Sequence, residues 1–220
     1  MSPRPVAPAA LPELLADLCQ AAVGEQPGQG RLRVAVDGAP AADPAALADA
    51  TAVLLRARGR PVARVSAGDF LRPASVRLEH GRTDPDAYLD DRLDRSALRR
   101  ELLDPWGPGG SGQYLPTFWD AGRDRATRAA YRPVPAGGVL LCDGALLLGW
   151  DLPFDLAVHL RLSPAALLRR TDEDQHWTLP AFERYAREHA PESVADVVVR
   201  CDDPRHPAVD VYAPTRPATG

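Results

Sequence analysis

Apolar and polar positions along this chain fall into short blocks that alternate between two periods. Leu11, Leu14, Leu15 and Leu18 recur at helical spacing, which predicts a helix over Leu11–Val23 that the run GEQPGQG at 24–30 breaks. Leu32–Val36 is short, apolar and rich in valine, the pattern of a buried strand, and Asp37-Gly38 ends it. Asp43-Pro44 then supplies a capping acid and a proline at the first helical position, so a helix runs on to about Arg58, with Gly59 as its stop. Pro61–Ser66 reads as a second strand and Pro85–Leu103 as charged helix in two pieces, while Asp104–Gly138 is the least regular stretch. Val139–Asp143 and Leu156–Leu162 are further apolar strands, Ser163-Pro164 caps a helix over Ala165–Arg170, and Leu179–Ala190 is another helix. Ala195–Val199 reads as the last strand, and residues 1–10 as a loose Pro/Ala-rich tail.

Strands alternating with helices predict an α/β fold: a three-layer, doubly wound, mostly parallel sheet of about five strands. At 220 residues the chain suffices for one such domain and is short for two. The expected division is a tail and helix at 1–30, the α/β domain at 31–210, and a disordered tail at 211–220.

Charge narrows the function. A net charge of -4 offers no footprint for nucleic acid. No apolar run reaches the roughly 18 residues that span a bilayer, so no membrane partner is expected and the cytoplasm is the default location. Cys19, Cys142 and Cys201 are odd in number and widely spaced, which fits reduced, buried thiols better than disulfides. The histidines show no metal-ligand spacing, so no metal site is expected, and His159, within an apolar strand, reads as a strand or core residue. All 26 basic residues are arginine, so no lysine ammonium is available to a phosphate anywhere in the chain.

That absence matters at the first strand–turn–helix, the place where α/β proteins bind anions on free helix N–H groups. A phosphate-binding P-loop requires G-x-x-x-x-G-K-[ST], with glycines for close backbone approach, lysine on the phosphates and a hydroxyl on magnesium. The corresponding window is Gly38-Ala39-Pro40-Ala41-Ala42-Asp43-Pro44-Ala45, in which only Gly38 survives. Asp43 is expected to cap its own helix and to repel an anion, at roughly 4 kcal/mol per like-charge unit at about 4 Å and an effective dielectric near 20. Pro44 removes a further donor, and Ala45 has no hydroxyl.

The order of several segments resembles the uridine kinase-like P-loop kinases, in particular divergent forms from GC-rich bacteria. The segments are VAVDG at 34–38, LLRARGRPVARVS at 54–66, DFLRP at 69–73, LLDPWGPGG at 102–110, VLLCDGALLL at 139–148, Leu167–Arg170 and ADVVVRCDDPRHP at 195–207. The resemblance implies the P-loop kinase fold, transfer of phosphate from ATP to a ribose 5′-hydroxyl, and a mobile arginine-bearing lid. It places the lysine on Pro44, the magnesium hydroxyl on Ala45 and the catalytic acid on Gly68, with Asp69 one position later as a substitute. It makes Asp143 the carboxylate near magnesium, Gly38, Arg169 and Arg170 the nucleotide contacts, and His80, Arg82, Asp84 and Tyr88 the nucleoside-contacting set. After Arg169 and Arg170 the lid turns acidic at Asp172, Glu173 and Asp174.

With three parts of the phosphoryl-transfer machinery altered together, the expectation is a catalytically impaired relative that binds a nucleoside-like small molecule or a protein partner. The alternatives are an active nucleoside or small-molecule kinase, which alone requires Mg-ATP, and an interaction module without a small-molecule site.

Overall fold

The computed structural model describes residues 3–23 and 30–212. In chain order the strands are β1 (Arg4–Pro5), β2 (Leu32–Gly38), β3 (Val62–Ser66), β4 (Gln113–Tyr114), β5 (Trp119–Asp120), β6 (Arg125–Ala126), β7 (Arg132–Pro133), β8 (Val139–Gly144), β9 (Leu156–Arg161), β10 (Val197–Arg200) and β11 (Ala208–Val211). The helices are α1 (Leu11–Val23), α2 (Pro44–Ala57), α3 (Ala74–Arg77), α4 (Pro85–Asp90), α5 (Arg95–Ala97, continued by a π-helical turn over Leu98–Leu103), α6 (Pro164–Arg170), α7 (Leu179–His189) and α8 (Pro191–Val194).

Seven strands form one sheet in the order β1-β11-β10-β9-β2-β8-β3. The five from β10 to β3 are parallel, and β11 and β1 add antiparallel pairs at one edge. The expected five-strand parallel sheet is present, with two strands more. Arg4–Pro5, expected in a loose tail, pairs with Val209 and Ala208 instead; proline is tolerated there because an edge strand has one unpaired side. Ala195–Val199 is not the last strand, since a turn after β10 returns the chain as β11.

Alternation along each strand separates two cores. Val34 and Val36 of β2, with Val139 and Leu141 of β8, face α1 and α2, where Leu15, Cys19, Ala48 and Leu55 meet them. Ala35, Leu140, Cys142 and Ala157 face the opposite layer, built from Leu89, Leu98, Leu102, Trp106 and Tyr185. Both faces are covered, so β2 is buried along its whole length. All three cysteines are buried and free; desolvation pushes the Cys19 thiol up to about 12 and the Cys201 thiol to about 11. Arg33 is admitted to β2 because Asp155 receives it through two bonds, Nε–Oδ2 at 2.9 Å and Nη2–Oδ1 at 2.6 Å. No helix among the described residues is long and apolar enough to cross a membrane.

Candidate functional site

Parallel α/β sheets bind ligands at the carboxyl ends of their strands, where the strand order reverses. Here that point lies at the end of β2, between β8 and β9. The chain leaves β2 through a single 3-10 turn, Pro40–Ala42, in which Ala42 N–H donates to Ala39 C=O at 2.8 Å and Asp43 N–H to Pro40 C=O at 3.0 Å. Asp43 adopts a left-handed backbone (φ 55°, ψ 59°), and its Oδ1 accepts from Ala46 N–H at 3.1 Å. Pro40 and Pro44 carry no N–H at all. The turn therefore spends on itself several of the amides that would cradle a phosphate, as the capping reading of Asp43 anticipates. Gly38 has a packing reason of its own: a Cβ there would stand 3.0 Å from Leu160 Cβ and 3.2 Å from Leu160 O.

On the β3 side the structure brings Asp69 and Asp143 into one field. Asp69 is half-buried, and its carboxyl is raised above the ordinary value, first by burial and next by the charge of Asp143. Arg64, on β3, reaches between these strands and α2. Its guanidinium donates to Asp143 Oδ1 at 2.5 Å, to Asp49 Oδ1 at 2.7 Å and to the Ala45 carbonyl at 3.3 Å. The magnesium–nucleotide site of a P-loop can be compared with these residues. The loop supplies neither lysine nor hydroxyl, and Asp143 is paired with Arg64. These residues lack the lysine and the hydroxyl that a P-loop places on Mg-ATP.

Other expected contacts are dispersed. Arg169 donates to the Asp202 carbonyl at 3.5 Å and Arg170 to the Cys201 carbonyl at 2.7 Å, so both lean on the chain beyond β10. His80 and Arg82 are exposed, and Asp84 caps α4 by accepting from Ala87 N–H at 2.7 Å. Tyr88 is buried edge-on against Trp177 (5.3 Å between centroids) with Arg92 over its ring at 4.7 Å. Asp172, Glu173 and Asp174 are exposed at the start of the 3-10 segment Glu173–Thr178.

A second arrangement joins the same strand ends. A cavity of about 750 Å³ opens between the ends of β2 and β9 and helices α6, α7 and α8. Asp37, fully buried, sits at its inner end. Its Oδ1 accepts from Leu147 N–H at 2.9 Å, and its Oδ2 lies 2.7 Å from His159 Nδ1 and accepts from the Tyr185 hydroxyl at 3.1 Å. Leu146 is left-handed (φ 64°), a turn that aims the next two amides inward: Leu147 at Asp37, and Leu148 at the Tyr185 oxygen, 2.8 Å away. Burial, then the Asp37 charge, push the Tyr185 phenol well above its ordinary value, so its proton stays in place to donate. Asp37, Arg64 and Tyr185 are absent from the sequence-derived site residues, and His159 stands there only as a core residue. One signal was available, an acid closing an otherwise apolar run (Asp37). The pairing of Asp37 with His159 follows from the β2–β9 register, which sequence periodicity does not give.

Comparison with solved structures agrees with this architecture. A protein described as a possible uridine kinase from Bacillus stearothermophilus superposes with a TM-score of 0.67 at 20% identity, over 86% of this chain and 96% of that one. One provisionally assigned as a fructose transport system kinase from Silicibacter sp. TM1040 gives 0.54 at 20% identity, over 85% and 91%. No protein-family model and no curated protein matches the chain. The chain has the fold of the uridine kinase-like P-loop kinases.

Proposed function

We propose that this chain is a catalytically impaired relative of the uridine kinase-like P-loop kinases, acting by binding a small, nucleoside-like molecule or a protein partner. The observation that carries the reading is the self-satisfied phosphate loop. A working loop keeps its amides free for an anion, whereas here Ala42, Asp43 and Ala46 donate within the turn and the Asp43 carboxylate stands at the helix start. The Arg64–Asp143 pair supports the same conclusion, because a carboxylate already neutralised by an arginine gains less from a cation. The preserved fold and the cavity beside Gly38 support binding.

The test is a phosphoryl-transfer assay over a nucleoside panel, run beside thermal shifts with uridine and cytidine. No transfer, together with a nucleoside-dependent shift, is the expected result. Robust ATP-dependent phosphorylation of any nucleoside would overturn it.

One observation favours the alternative of an active kinase: Asp69, half-buried beside Asp143 with a raised carboxyl, is the kind of group that accepts a proton from an acceptor hydroxyl. In that case Arg169 and Arg170 must supply the missing charge, and the double substitution Arg169→Ala, Arg170→Ala would abolish the transfer.

A further inference from the structure

The cavity between β9 and helices α6 to α8 has a chemistry distinct from that of a nucleotide site. Leu146, Leu160, Leu167, Leu179 and Phe182 make its wall largely apolar. Carboxylates outnumber cations along it: Arg161 donates to Glu192 at 3.1 Å, the Asp37 carboxylate lies behind His159, and Glu183 carries a further negative charge. An anion entering here meets no uncommitted arginine and faces the negative charges of Asp37, Glu183 and Glu192.

Among the buried polar side chains of its lining, one keeps an atom for a ligand, while Glu183 and Ser193 stand exposed at its edge. His159 is about nine-tenths buried and lines the cavity, and its Nδ1 is fixed on Asp37. In the neutral imidazole the hydrogen bond to the Asp37 carboxylate takes the proton on Nδ1 and leaves Nε2 as an acceptor; among the described residues Nε2 has no hydrogen-bond partner. Two lining residues, Leu146 (φ 64°) and Ala190 (φ 42°), hold left-handed backbones that are unfavourable for side-chain-bearing residues. Strain of this kind concentrates at ligand-holding sites.

We propose that this cavity binds a neutral, mostly apolar small molecule bearing a hydroxyl, and that the hydroxyl donates its proton in a hydrogen bond to Nε2 of His159. Asp37 and Tyr185 also reach the cavity but act as positioning residues: Asp37 holds His159 Nδ1, and the Tyr185 hydroxyl donates to Asp37. The inference deepens the small-molecule reading above and rests on it only for the premise that the chain binds a ligand.

Calorimetric titration with 2-naphthol and with 2-methoxynaphthalene, which keeps the ring system and loses the donor, tests it. The full chain is expected to bind 2-naphthol about tenfold more tightly, the worth of one hydrogen bond of this kind. His159→Asn keeps a donor for Asp37 but is too short to place its amide oxygen where Nε2 stood, so the preference for 2-naphthol should be lost. Nitrogen NMR on the unsubstituted protein, labelled at histidine, gives a readout that does not depend on the variant folding: the His159 Nε2 resonance should move with 2-naphthol and not with the ether. Equal affinity for both probes in the unsubstituted protein, a motionless Nε2 resonance, or no binding of either probe would overturn the proposal. Phosphorylation of a nucleoside would overturn the impaired-kinase reading instead and leave this assignment standing.

Discussion

Asp43 performs two tasks with one residue: its left-handed backbone turns the chain out of the 3-10 segment, and its carboxylate caps α2. Asp43→Ala loses the cap and strains the turn, and should lower stability by about 1–2 kcal/mol. Asp43→Gly keeps the turn without strain and should cost only a few tenths, measured as urea midpoints. Asp69 makes a prediction of opposite sign. An acid whose folded pKa is raised binds its proton more readily when folded, so its ionisation costs stability above that pKa and the cost fades as pH drops through it. Asp69→Asn should therefore raise the melting temperature at neutral pH. The gain should vanish below about pH 3, where the carboxyl is protonated in both states. An equal gain at both pH values would contradict the assigned cause.

At the scale of elements, Arg64 ties β3 to β8 through Asp143 and to α2 through Asp49 and the Ala45 carbonyl. The Asp143 side chain is only 8% exposed, so removing its partner leaves a nearly buried charge. Arg64→Met should cost somewhat less than the roughly 3–5 kcal/mol of a fully buried broken pair, since the arginine itself keeps some water contact. The double variant Arg64→Met, Asp143→Leu should recover much of that loss; additive losses in chemical denaturation would deny the pair its structural role. This pairing also marks where the sequence stops being informative. The parallel strands and capped helices were legible because apolar runs, Asp43-Pro44 and Ser163-Pro164 are local signals. β1 and β11 were not, because a two-residue edge strand containing proline and a four-residue strand interrupted by Asp210 carry almost no periodic pattern. Arg64 reads locally as an exposed strand arginine, and its partners 15 and 79 residues away exist only in the folded chain.

Across the whole molecule, one sheet end carries two unlike arrangements. Toward β8 and β3 lies the turn after β2, with amides closed on themselves, beside the Asp143 carboxylate held by Arg64. Toward β9 lies the cavity with Asp37, His159 and Tyr185 at its base. Of the first, the Asp43 cap was legible, since an Asp-Pro pair at a helix start is a local signal. The second was not, because it depends on strand register, on the left-handed turn at Leu146 and on α7 returning Tyr185 to the sheet. The central proposal is that the self-closed turn after β2 does not hold a nucleotide. Calorimetric titration of the protein with Mg-ATP at near-physiological salt tests it most directly. The account predicts no measurable heat of binding, and micromolar affinity would contradict it.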